Sequence, residues 1–233
     1  MHYFPLALPF LLAFAFVILI VLGLIEVGIL RYAYSKIGVS HRYMFVLLLG
    51  SLLGSYVNIP VATLPAQQIS SDQVFSYFGM QHIIPNIGGP PRTILAVNLG
   101  GAVIPTILSL YLVIRNRLYL QALIGTAVVA IAVYMTARPV PGVGIVEPFF
   151  IPLIVATVIA LLISRRCAPS EAYIAGSLGT LIGADLLNLG AIAGLGAPVA
   201  SIGGAGTFDG IFVAGILSVI LAGALGRKGE VCA

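Results

Sequence analysis

The sequence predicts an all-α fold, a polytopic helical membrane protein of about seven transmembrane helices, and three observations carry that expectation. Of 233 residues, 60% are hydrophobic and only 8% are charged, against roughly a quarter charged in soluble domains. Mean hydropathy is +1.14. A soluble fold of this length cannot hide so much apolar surface, which makes lipid its solvent. The apolar runs also extend for about twenty residues without alternation, whereas the strands of a membrane β-barrel alternate over about ten.

Spans are expected at about 5–30, 43–63, 93–114, 118–136, 145–164, 170–190 and 207–225, each near the roughly 20 residues that a bilayer core requires. They form one integral membrane domain over residues 1–233. The first is expected to stay in place rather than be cleaved as a signal peptide: it has no basic start, its apolar stretch is too long, and no small-residue cleavage site follows.

The basic residues set the orientation. Arg31, Lys36 and Arg42 follow span one, Arg115 and Arg117 follow span three, Arg165 and Arg166 follow span five, and Arg227 and Lys228 follow span seven. Nine of the eleven Lys and Arg therefore share one side, with Arg92 and Arg138 on the other. By the positive-inside rule the N-terminus is outside and the C-terminus cytoplasmic, in a multi-pass protein of the cell membrane. The partner this implies is the lipid bilayer. The net charge of +4 then reflects topology and not nucleic-acid binding. Cys167 and Cys232 lie far apart at span ends with no CxxC or His/Cys cluster, so neither a disulfide scaffold nor a metal site is expected, and no cofactor.

The outer segment Leu64–Arg92 has Ser70-Ser71-Asp72 before Gln73–Tyr77 and then Gly79, which predicts a short helix lying at the interface. Segment Gly190–Gly206 has six glycines and no charge and is expected to be flexible. Gly50 with Gly54, and Gly179 with Gly183, are small-residue pairs that let helix backbones approach. Asn58 before Pro60, and Asn98-Leu99-Gly100-Gly101 before Pro105, mark places where spans two and three either break, freeing carbonyls for an ion or substrate, or merely kink, each Asn bonding across helices.

Ionisable groups at membrane depth cost about 3 kcal/mol or more, so each needs a reason. Asp72 and Glu230 read as solvated. Glu171, in the first turn of span six, is favoured by the helix dipole, and Glu147 starts span five in the same manner. Glu26 snorkels or meets Arg31. Arg138 and Glu147, flanking Pro139-Val140-Pro141-Gly142, are placed to pair at the outer surface. His2, His41 and His82 fall in tails or loops and form no triad. Asp185 and Asp209 stand apart. Asp185 lies about 22 Å along span six at about 1.5 Å per residue, and Asp209 is about one turn inside span seven. Both fall in the outer half of the membrane, on consecutive spans. Two close carboxylates in low dielectric do not both ionise; one holds a proton and the pair titrates as a unit. Aspartyl proteases and proton-coupled transporters both use that arrangement. Asn188, one turn from Asp185, shares its face and is placed to orient it.

The stretch Gly206-Thr207-Phe208-Asp209-Gly210-Ile211-Phe212 resembles the second aspartate motif of presenilins and signal peptide peptidases, the GxGD-type intramembrane aspartyl proteases. Gly183-Ala184-Asp185-Leu186-Leu187 resembles their first, also one span upstream. The resemblance covers about 45 residues. Phe208 stands where that family has glycine, with the GxG displaced to Gly204-Ala205-Gly206, and Ala184 stands where it has tyrosine. The family has nine spans and a PAL motif in its last. The chain as a whole resembles uncharacterised prokaryotic polytopic membrane families. The resemblance implies that Asp185 and Asp209 are a catalytic dyad hydrolysing peptide bonds of transmembrane substrates, with Asn188, Gly204, Gly206, Thr207 and Gly210 around the substrate strand. The alternative is a proton- or cation-coupled transporter or channel using the same carboxylates. A third reading is a non-catalytic scaffold whose aspartates pair with Arg138 or backbone.

Overall fold

The computed structural model describes residues 23, 27–65, 74–77, 80–83, 92–140, 144–192, 199–204, 210–226 and 232. Helix α1 runs through 27–36 and is followed by α2 (His41–Gly54). Strands β1 (Asn58–Pro65), β2 (Val74–Tyr77), β3 (Met80–Ile83) and β4 (Arg92–Asn98) come next. A π-helical turn (Leu99–Val103) opens into α3 (Ile104–Asn116), and α4 (Tyr119–Thr136) leads into the hairpin β5 (Arg138–Val140) and β6 (Gly144–Val146). Then follow α5 (Phe150–Ile163), α6 (Ala168–Thr180) with a π-helical extension (Leu181–Leu186), α7 (Leu189–Ile192), β7 (Val199–Ile202) and α8 (Gly210–Leu225).

The molecule is mostly helical, and three helices are long and apolar enough to cross a membrane: Leu99–Asn116, Tyr119–Thr136 and Ala168–Ala191. Shorter apolar helices cover Arg42–Gly54, Phe150–Ile163 and Gly210–Leu225. The spans expected at 118–136, 145–164, 170–190 and 207–225 fall on α4, α5, extended α6 and α8. Span one lies mostly outside the described residues.

Helix α6 is the axis of the bundle, packed against α3, α4, α5 and α8. Between helices in lipid, association comes from close packing rather than from hydrophobic transfer, so small residues belong at the interface. Gly179 and Gly183 meet α4: a Cβ on Gly179 would lie 2.5 Å from Val129, and one on Gly183 2.5 Å from the Ala130 carbonyl. Val129, Val133, Ala156 and Ala175 are fully buried there. The outward faces carry large apolar side chains, with Leu123, Ile114, Leu162 and Met135 more than 60% exposed. Such a surface suits lipid contact.

Four expectations are corrected. Spans two and three are not continuous helices. Helix α2 stops at Gly54, and Asn58–Pro65 pairs antiparallel with Arg92–Asn98, Asn58 directly opposite Asn98. Strand β7 joins the other side of β4 in parallel, giving the order β1-β4-β7. A short apolar run reads alike as helix or strand, and Ile, Val and Thr favour the strand here. Pro60, which has no N–H to donate, sits where the β1 register shifts. Second, the expected interfacial helix is instead the hairpin β2–β3. Val74-Phe75-Ser76-Tyr77 is a β-branched and aromatic run, and two residues ending in Gly79 join it to β3. Third, the glycine-rich segment expected to be flexible contributes an ordered strand, β7. Fourth, Cys167 and Cys232 form a disulfide, with Cα atoms 5.0 Å apart. Their separation of 65 residues hid the fact that α6 begins where α8 ends.

Candidate functional site

All three strands of the main sheet, the β5–β6 hairpin and the C-terminal end of α6 lie at one end of the bundle, because α2, α4 and α6 run towards it and α3, α5 and α8 away from it. Backbone departs from regular helix there, and polar side chains satisfy what the departure exposes.

Asn98, fully buried, caps the π turn. Its Nδ2 donates to the Ser55 carbonyl (2.7 Å) and to Asn58 Oδ1 (3.0 Å), while its Oδ1 accepts the Gly101 N–H (2.8 Å). Ser51 Oγ donates to the Gly100 carbonyl (2.8 Å). Gly100 must be glycine, because a Cβ would collide with the Ser51 carbonyl and the Ser55 nitrogen. Ser201 Oγ lies 2.6 Å from Asn58 Oδ1 and 2.7 Å from the Gly204 carbonyl, its single proton serving one or the other. Spans two and three do break at the asparagines, and the freed groups are bonded to one another.

Asp185 projects from the π-helical end of α6, half-buried. Its Oδ2 accepts the Gly203 N–H at 2.6 Å, in the turn that ends β7. Gly203 has φ +88°, and a Cβ would sit 2.6 Å from the Ala102 nitrogen and Cβ. The turn therefore presses on the first π turn as it presents its N–H to the carboxylate. Asn188 does not face outward to Asp185's carboxylate: its Nδ2 donates to the Gly183 and Ala184 carbonyls, both at 3.0 Å, closing the widened helix end. Gly204 follows Gly203, with φ +75°. Gly210 opens α8. Asp209, Gly206 and Thr207 lie outside the described residues.

Glu147 is the residue that sequence reasoning undervalued. It does not sit in the first turn of α5, which begins at Phe150. It follows β6, with Oε2 buried and without a partner, and its Oε1 lies 3.4 Å from where a Gly210 Cβ would be. Burial, and then the negative charge of Asp185, push its carboxyl up to about 7. Glu147 thus lies near Asp185 and against Gly210, the residue that follows Asp209. No pattern along the chain joins it to them, since the three come from separate elements. Arg138 is exposed on β5, opposite Val146, and makes no ion pair with Glu147. The expected surface pair is therefore not formed.

Glu171 is a second surprise. It occupies the first turn of α6 as expected, but it is fully buried and neither oxygen has a partner. It faces Gly125 of α4, whose missing side chain leaves room for the carboxyl: a Cβ there would lie 2.5 Å from Oε1. Among the described residues no group of three or more His, Cys, Asp or Glu is placed to hold a metal ion.

No curated protein and no solved structure matches this chain. Residues 52–221 match a family of proteins of unknown function, DUF1614. That range takes in Glu147, Asp185, Asp209 and the asparagine junction, and it ends before Cys232. A match over that much of the sequence places the chain in a family, and the chain is a member of DUF1614.

Proposed function

We propose that this chain is a multi-pass protein of the cell membrane, with its N-terminus outside and C-terminus cytoplasmic, that hydrolyses peptide bonds of membrane-embedded substrates with Asp185 and Asp209. The observation that carries the reading is β7. Among the described residues it is an edge strand, paired only with β4. Its closing turn donates the Gly203 N–H to Asp185, and the chain runs from it to Asp209 within a few residues. An edge strand is a template for an extended peptide backbone. A substrate paired along β7 would bring a peptide bond to the carboxylate at the strand's end.

The chemistry follows from two acids sharing one proton. The ionised carboxylate takes a proton from water as the water oxygen adds to the carbonyl carbon. The protonated partner gives its proton to the carbonyl oxygen. On collapse the C–N bond breaks, the amine nitrogen leaves with a proton, and the dyad returns to one proton between two groups. The orientation rests on the basic residues: Lys36, Arg42, Arg115, Arg117, Arg165 and Arg166 gather at the end opposite the sheet, which the positive-inside rule makes cytoplasmic.

Purified protein in detergent or liposomes is expected to cleave a helical reporter peptide, and Asp185→Asn or Asp209→Asn to abolish cleavage while helicity is kept. A wild type that is inert across a broad panel of reporters defeats the reading. A second reading, proton- or cation-coupled transport, is favoured by Glu147, a further carboxyl near Asp185 where two helices are interrupted. Uptake into liposomes that follows a pH gradient and fails in Asp185→Asn, without peptide cleavage, would establish it. A scaffold whose aspartates pair with Arg138 or backbone is the third reading; the Gly203 N–H on Asp185 is such a backbone partner, and an Asp185→Asn variant altered in stability alone would establish it.

A further inference from the structure

We infer that Cys167 and Cys232 are a reversible thiol–disulfide pair on the cytoplasmic face, which when oxidised staples the chain after α8 to the start of α6. The inference rests on the membrane orientation proposed above and not on the hydrolytic chemistry.

Two observations meet here. The disulfide lies at the basic end of the bundle: Cys167 directly follows Arg165 and Arg166, and α6 starts at the next residue. The Cα separation of 5.0 Å is that of bridged cysteines. A positive end faces the cytoplasm, where thiols are kept reduced and the disulfides that form are catalytic or redox-sensing. A permanent structural bond is therefore out of place, whereas a bond made and broken with the redox state fits.

The staple also has a lever. Cys167 precedes the first residue of α6; its N–H donates to Ser164 Oγ (3.3 Å), and its carbonyl accepts the Glu171 N–H (3.0 Å). At the other end of the tether, Gly226 closes α8 against the same turn, its Cβ position 3.8 Å from the Arg165 carbonyl. The 65-residue separation encloses Asp185 and Asp209. Oxidation therefore joins the far ends of the two helices that carry or follow those aspartates. A low-molecular disulfide such as oxidised glutathione supplies the oxidant. One cysteine thiolate attacks it, forming a mixed disulfide and releasing one glutathione thiolate. The second cysteine thiolate then displaces the other glutathione, so two electrons pass to the oxidant and both glutathiones take up protons. A dithiol reverses the reaction.

The test uses full-length protein in right-side-out and inverted membrane vesicles from resting cells. Vesicles are treated with a membrane-impermeant maleimide in mild detergent-free conditions and then analysed by intact mass. Inverted vesicles are expected to show two adducts and right-side-out vesicles none. Prior oxidised glutathione should remove both adducts with no glutathione mass gained, and dithiothreitol should restore them. Cys232→Ser should instead gain one glutathione under the same treatment, because Cys167 then has no second thiol to resolve it. Amide hydrogen exchange should slow in the first turn of α6 and at the end of α8 on oxidation of the wild type. A bond already closed in resting cells, with labelling after reduction only from right-side-out vesicles, overturns both the switch and the orientation. Thiols labelled from inverted vesicles that gain glutathione but never close on each other overturn the switch and leave the orientation standing. Reporter cleavage decides the hydrolase reading independently of either result.

Discussion

The two ends of this bundle are held together by different means. At the basic end the turns are tight, and the ties are charged side chains and a covalent bond. Arg117 takes a left-handed conformation to close α3, with φ 53°. Arg115 Nη1 donates to the Gly38 carbonyl (2.8 Å) and stacks on Tyr111. Lys36 lies over Tyr32, and Cys167 bonds Cys232. At the sheet end helices widen or stop, and hydrogen bonds between residues 40 to 143 positions apart take over. Buried irregular backbone is stable only where its polar groups find partners. The sheet end meets that condition with Asn58, Asn98, Ser51 and Ser201. It is also where Asp185 and Glu147 meet. The regular end is braced for stability, and the irregular end is where backbone N–H groups and carboxylates are free to be aimed.

The comparison can be broken most severely at the basic end. A 65-residue separation between bridged cysteines restricts the unfolded chain by about 4 kcal/mol in the loop-entropy account. Reduction is expected to lower the unfolding temperature in detergent by that route, with Cys232→Ser insensitive to the reductant. The sheet end should follow closely. Asn98→Ala leaves the Ser55 carbonyl and the Gly101 N–H without partners and is expected to cost about 3 kcal/mol. Hydrogen exchange should rise in β1 and β4 in that variant and stay unchanged in α5. A result in which exchange rises uniformly would show that the two ends do not unfold separately.

The interior offers a smaller effect. Gly125→Ala places a methyl against Glu171 Oε1 and is expected to cost about 2 kcal/mol. Adding Glu171→Ala should recover much of that loss, and a double-mutant cycle by reversible unfolding checks it. The smallest effect is on pH. The Glu147 carboxyl is raised from its ordinary value of 4.5 to about 7, by burial first and by Asp185 second. A raised acid stabilises the fold fully below its unfolded value and loses that contribution as pH climbs through the folded one. Stability is therefore expected to fall between about pH 4.5 and pH 7. Glu147→Gln should flatten that slope in unfolding midpoints measured across the window.

Legibility followed the reach of each signal. The helices α4, α5, α6 and α8 were readable because apolar length is a local property. The small-residue pair Gly179 and Gly183 was readable as a packing surface, and its partner on α4 was not. Asp185 stood out because charge is rare in an apolar run. Glu147 did not, because a carboxylate at an expected helix start has an ordinary explanation. Its neighbours come from β6, α6 and α8, which only folding brings together. Asn188 was readable as sharing Asp185's face, but the π-helical widening turned its amide onto the Gly183 and Ala184 carbonyls instead. Strands β1 and β4 were read as helix because both are short apolar runs joined to true helices.

Sequence by itself determined that the chain is mostly helical, that its outer surface suits lipid, and which residues carry charge at each turn. Those properties add up residue by residue along the backbone. Only the tertiary structure decided that Asp185 binds the turn after β7, that Glu147 stands beside it, and that Cys167 closes on Cys232. Each of these is a meeting of distant segments, set by which faces pack together, and hydropathy along the chain carries no record of it.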